Sequence, residues 1–211
     1  HRDLHSFPTR RSSDLKMEEI KGEKQLELRM YFFVPYNISP IQQAIQAGHA
    51  ALEYARKYAD AGFFQEFVDY HKTWIVLNGG TTNDQRDFNG IPVGTLNQIG
   101  DQLQDNDIPF SYFREPDLND ALTALCFIAD ERVFNREDYP DFVNWLLKIK
   151  MYQQAADEAQ KNNPALWVEL RLKSAEEHEK LFPEYYKEWV RFLGGVKNVF
   201  LRELITDKKL A

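Results

Sequence analysis

The sequence predicts an α/β fold: a four-stranded mixed sheet between helices, followed by an all-helical C-terminal appendage. Three observations carry that prediction. Short runs dense in aliphatic and aromatic residues, Leu26 to Val34, Thr73 to Leu77, Ile108 to Arg114 and Leu122 to Ile128, read as strands buried on one or both faces. Between them stand segments whose apolar residues recur every three or four positions, so the order β-α-(α)-β-α-β-β puts helices on the faces of a mixed sheet. Beyond Phe134 the strand-like runs stop and only helical spacing remains.

Of the 211 residues, the first fifteen, HRDLHSFPTRRSSDL, fit a common short-read sequencing adapter codon for codon when back-translated. Residues 1–15 are therefore expected to be a non-native adapter translation on a metagenomic reading frame, with a natural basic leader as the alternative. Residues 16–25 are polar and expected to fray. Residues 26–135 form the expected α/β domain and residues 136–211 the appendage. Charge divides along the same line. Residues 16–135 hold 10 Lys/Arg against 18 Asp/Glu, a net of −8, whereas 136–211 hold 13 of each; with +1 on residues 1–15 this gives the chain's net −7, so the negative charge resides on the sheet domain. A hydrophobic fraction of 43% supports a packed core, and no apolar run approaches the ~18 residues of a membrane span, so no membrane is expected. The single cysteine, Cys126, lies inside an apolar run, which suits a buried hydrophobe in a reducing cytoplasm.

Taken in order, Leu26 to Val34 reads as a central strand, ended by Pro35 and Asn37. Ser39 is suited to cap the first helix, and Pro40 to its first turn, where no N–H partner is needed. Along that helix, to about Asp60, Ile41, Ala44, Ile45, Gly48, Leu52 and Ala55 make an apolar stripe expected to face the sheet. Gln42, Gln46, His49 and Glu53 make a polar stripe beside it. Phe63, Phe64, Phe67 and Val68 suggest a short second helix, and Thr73 to Leu77 a second buried strand. The polar loop over 79–94 carries neither a GxGxxG pattern nor a phosphate-loop lysine; a plain surface loop and a phosphate cradle both stay open. Leu96, Ile99 and Leu103 give a helix over Thr95 to Asn106. After the fourth strand, apolar spacing predicts helices over 139–149, 165–182, from Pro183 to the Gly194-Gly195 stop, and 196–204.

On the residues alone, the candidate site is the C-terminal edge of the sheet, where open α/β sheets bind ligands. The turn after the third strand delivers Arg114, Glu115 and Asp117 there, and the first helix delivers Gln42, Gln46 and His49. A histidine held by a carboxylate acts as a general base or orients water, and Glu115 or Asp117 is the expected partner. A helical histidine beside alanines is also an ordinary hydrogen-bonded residue at a packing boundary, and both carboxylates are also turn formers. Arg114 is the one cation the sequence places beside the site. His49 and Glu53 have a spacing that could hold a metal, but no third ligand is in view, so neither metal nor cofactor is expected. His71 and His178 lie in unremarkable polar contexts.

At these residues a family resemblance enters. QQAIQAGHAALEYA resembles the first-helix signature of type 2 peptidyl-tRNA hydrolases, roughly A-A-Q-x-x-H-A-A. PFSYFREPDLNDALTALCFI resembles their second signature, in the FREPDL…LTA form of a bacterial branch. The resemblance covers about residues 28–130, with both motifs in the family's order. It implies a four-stranded mixed sheet, a homodimer, and cleavage of the ester joining a peptide to tRNA. It also implies that His49 takes the family's histidine, Gln46 its glutamine, Glu115 or Asp117 its acidic position, and Thr123 a threonine near the site. The family's main form carries a G-K-G-K segment before helix one, where this chain has Ile38-Ser39-Pro40-Ile41-Gln42. Two functions follow as expectations: a peptidyl-tRNA hydrolase-like ester hydrolase, or a non-catalytic binding or assembly module on the same fold.

Overall fold

The computed structural model describes residues 25–81, 87–89, 94–148, 161–162, 180 and 182–211. The expected adapter translation, most of the expected 165–182 helix, His178 and parts of the 79–94 loop lie outside the described residues. The rest is the expected α/β fold, except that Thr73 to Leu77, expected as a buried strand, lies at an edge of the sheet with Trp74 exposed. Strand β1 (Leu28–Val34) leads through helix α1 (Pro40–Tyr58), α2 (Gly62–Glu66) and a π-helical turn (Phe67–His71) to β2 (Thr73–Asn78). Helix α3 (Thr95–Asp105), β3 (Phe110–Glu115) and β4 (Ala121–Asp130) follow. The sheet order is β2-β1-β4-β3, with β1 parallel to β2 and antiparallel to β4, so the sheet is mixed and β1 is central.

Both faces of β1 are covered, which is why its sequence is apolar at nearly every position. Met30, Phe32 and Val34 face α1, where they pack with Ala47, Ala50, Tyr54, Ala124 and Cys126. Tyr31 and Phe33 face α3 and pack with Leu96, Ile99, Leu103, Leu125 and Phe127. Phe32, Phe33 and Phe127 are fully buried, each stabilising the fold by about 1.5–3 kcal/mol relative to exposure. At Gly79 the packing leaves no room for a side chain: a Cβ there would strike the Leu96 side chain of α3.

Helix α1 begins as the sequence predicts. Ser39 accepts from the Gln42 backbone N–H, and the Gln42 side chain accepts from the Ser39 N–H, closing a capping box with Pro40 behind it. Its inward face is not the expected one. Ile41 is 75% exposed, Leu52 70% and Ile45 48%, while Gln43, Gln46, Ala47, Ala50 and Tyr54 are buried. The sheet surface beneath α1 already carries Met30 and Phe32, so the close approach requires alanines. Isoleucines at those positions would overpack it. The larger aliphatic residues are left on the outside.

Among the described residues, the C-terminal segment returns to the sheet. Helix α4 (Glu131–Phe134) turns into α5 (Phe142–Lys148), which shares a cluster with α6 (Pro183–Phe192) through Phe142, Trp145, Tyr186 and Trp189. Helix α7 (Val196–Ile205) then places Leu201 and Leu204 in the core on the α3 side. The last residues cap the sheet edge: Asn78 N–H donates to Lys209 O at 2.9 Å, and Ala211 N–H to Val76 O at 3.0 Å. No helix among the described residues is long and apolar enough to cross a membrane.

Burial also fixes the ionisation of two core groups. Loss of water pushes the Cys126 thiol up to about 12, opposed in part by its hydrogen bond with Ser111, and desolvation pushes the Tyr31 phenol up to about 12 as well. A folded-state pKa raised above the unfolded one gives stability that is complete below the unfolded value and lost as pH rises toward the folded one. Stability against denaturant is therefore expected to hold through neutral pH and fall from about pH 9 upward. Cys126→Ala should flatten the early part of that fall. Cys126 should also resist thiol reagents until the protein unfolds; rapid modification of native protein would contradict its burial.

Candidate functional site

The β3–β4 turn sets the geometry of the site. Pro116–Leu118 makes one 3₁₀ turn, and Asn119 and Asp120 follow at φ 52° and 56°, the left-handed region that asparagine and aspartate tolerate best after glycine. That reversal holds Glu115 at the end of β3, opposite the second turn of α1. Arg114 secures the turn from inside it, donating through Nη1 to Asp120 O at 3.0 Å.

Across this gap Gln46 joins the two signature segments. Its Nε2 donates to Glu115 Oε2 at 2.7 Å, and its Oε1 accepts from Thr123 Oγ1 at 2.6 Å. Thr123 is fully buried and Gln46 is 6% exposed, so the hydrogen bond between them is shielded from water and stronger for it, while the bond to the half-buried Glu115 lies nearer the surface. Three side chains from α1, β3 and β4, 69 and 77 positions apart from Gln46, thus form one chain of hydrogen bonds.

One turn along α1, the His49 ring packs edge-on against Phe113, with centroids 4.3 Å apart. Its Nδ1 is buried and has no hydrogen-bond partner among the described residues. The expected His49–carboxylate pair is therefore absent: Glu115 is taken by Gln46, whose amide reaches it first. Asp117 sits exposed on the 3₁₀ turn, with no bond to His49. Gln42 is also turned away from the network, because its side chain is used in the capping box.

Beyond Phe113 a groove of about 550 Å³ runs between α1 and β3, lined by Glu53, Arg56, Lys57, Ser111, Tyr112, Phe113 and Arg114. Arg114 is not the lone cation of the region. Arg56 pairs with Glu53 at 2.6 Å and Lys57 donates to Phe110 O at 3.2 Å, so three positive charges border the groove of an acidic domain. Reading the polar stripe past Glu53 to the next turn, positions 56 and 57, would have found them. No three His, Cys, Asp or Glu side chains among the described residues gather as a metal site. Compared with protein-family models and with curated proteins, the chain matches none.

Proposed function

We propose that this chain is an ester hydrolase of the peptidyl-tRNA hydrolase type, acting on the bond between a peptide and the ribose of tRNA. The observation that carries the reading is the Gln46 bridge, which ties the helix-one signature to Glu115 and Thr123 of the second signature within hydrogen-bond distance. In this reading His49 takes a proton from water as the water oxygen attacks the ester carbonyl. The carbon–oxygen bond to the ribose then breaks, and the proton passes to the departing ribose oxygen. His49 Nδ1, buried and unpartnered among the described residues, is a group whose hydrogen bond an internal water would supply. Glu115 is engaged through Oε2 alone among the described residues, which leaves Oε1 to orient that water. Gln46 and Thr123 hold the carboxylate in place.

The cations of the α1–β3 groove are where tRNA phosphates would lie in this reading. Arg114→Ala is expected to weaken tRNA binding and to reduce the slope of log K against log salt by about one phosphate's worth, roughly 0.7–0.9. Binding titrations across a salt series measure this. A wild-type protein with no salt-dependent tRNA binding would end the hydrolase reading.

A further inference from the structure

The chain covers one edge of its sheet and leaves the other open. Asn78 and Val76 of β2 are hydrogen-bonded to Lys209 and Ala211, whereas β3, the outer strand on the other side, pairs only with β4 among the described residues. The α1–β3 groove runs along that open edge. Four consecutive residues of β3, Ser111 to Arg114, line it, so it follows the strand's backbone and not one face of the sheet. Arg114 directly precedes Glu115, so the groove leads into the Gln46–Glu115 pair.

Its walls combine positive charge with a bare aromatic ring. Against one carboxylate, Glu53, stand Arg56, Lys57 and Arg114. Lys57 and Arg114 donate to the backbone oxygens of Phe110 and Asp120, and neither forms an ion pair among the described residues, so their charge is uncompensated. Tyr112 is 52% exposed. Its ring centroid lies 6.4 Å from that of Phe110 and 5.8 Å from the Arg114 guanidinium, which steady the ring and leave half of it open to the groove.

We infer that this groove takes a single strand of RNA, with Tyr112 as the platform on which one base stacks and Arg56, Lys57 and Arg114 on the flanking phosphates. Cations that track a backbone beside an open aromatic face suit unpaired nucleic acid, because only an unpaired base can offer its own face to the ring. A duplex hides those faces, and a groove of this size holds on the order of one or two nucleotides. An acidic peptide would meet the cations but make no use of the ring. Tyr112 is thus the residue that selects an unpaired end over a helical one. The inference rests on the hydrolase reading for the strand's polarity, since an ester at Glu115 puts the 3′ end there.

Fluorescence anisotropy with the full chain at low ionic strength tests this. The probes are a short labelled RNA, the same RNA annealed to its complement, and an oligomer with the same phosphates but abasic sugars. The single strand should bind about tenfold or more tighter than the duplex, and Tyr112→Ala should weaken it by about tenfold or more with the circular dichroism spectrum unchanged. Tyr112→Ala should leave binding of the abasic strand alone, and Tyr112→Phe, which keeps the ring, should bind like wild type. Equal binding of strand and duplex overturns the inference. So does a Tyr112→Ala loss that is nil, or as large on the abasic strand, or a short polyglutamate peptide that displaces the RNA as well as unlabelled RNA does. A protein that fails here yet binds intact tRNA and cleaves its ester sinks this inference alone. One that passes here and leaves the ester intact sinks the hydrolase reading alone.

Discussion

Replacing Arg202 by methionine is expected to lower stability by about 3 kcal/mol or more and the thermal midpoint by roughly 6–12 °C. Arg202 is 2% exposed, one of the largest side chains fully inside the protein. Its Nη1 donates to Arg132 O at 2.8 Å, Nη2 donates to Tyr139 O, and Nε donates to Asp141 at 3.0 Å. The guanidinium therefore fastens α7 to the chain leaving β4. Burial pulls its pKa below the ordinary guanidinium value, with the carboxylate of Asp141 opposing that shift. Methionine fills the volume but leaves two inward carbonyls unpaired, at about 1–3 kcal/mol each. Lysine should rescue little, because a single ammonium cannot reproduce the planar fork. Calorimetry decides the point; a midpoint shifted by less than about 2 °C would show that the joint is held by packing alone.

His49→Ala carries the second large effect. If His49 is the general base, turnover should fall roughly 10²-fold or more, while tRNA affinity changes little, because one contact is lost among many. The alanine also removes the ring that packs on Phe113, so a purely structural role must be separated. His49→Asn keeps a polar side chain of similar reach against Phe113. It should restore the thermal midpoint without restoring turnover. Equal losses in binding and turnover, or recovery of both with asparagine, would assign His49 to packing.

Much of the fold was legible because its signals are local. The Ser39 cap with Pro40 behind it, the apolar density of β1, and the turn between β3 and β4 each follow from a few adjacent residues. The orientation of α1 was not. Periodicity finds a stripe of large aliphatic residues, but which stripe turns inward depends on the sheet beneath. There Met30 and Phe32 pack beneath Ala47 and Ala50, with Tyr54 buried further along the same face. The same blindness to distant neighbours hid the site's wiring. Gln46, Glu115 and Thr123 could be named as site residues, but that the amide of Gln46 would claim the carboxylate ahead of His49 is a matter of three-dimensional distance. The returning C-terminus was equally hidden. Val196, Val199, Phe200 and Leu204 read as one more amphipathic helix that could pack on the sheet domain or on a second subunit, and only the fold puts Leu201 and Leu204 in the core beside the sheet.

The most direct measurement is single-turnover release of peptide from a synthetic peptidyl-tRNA at low ionic strength, with wild type and Gln46→Leu compared side by side. Leucine keeps the volume of Gln46 but removes both hydrogen bonds that join Glu115 to Thr123. The account predicts salt-sensitive ester cleavage by wild type and a loss of at least tenfold in the variant, from a carboxylate no longer held in position. A folded wild-type protein that leaves the ester intact, or a Gln46→Leu protein as active as wild type, would contradict it.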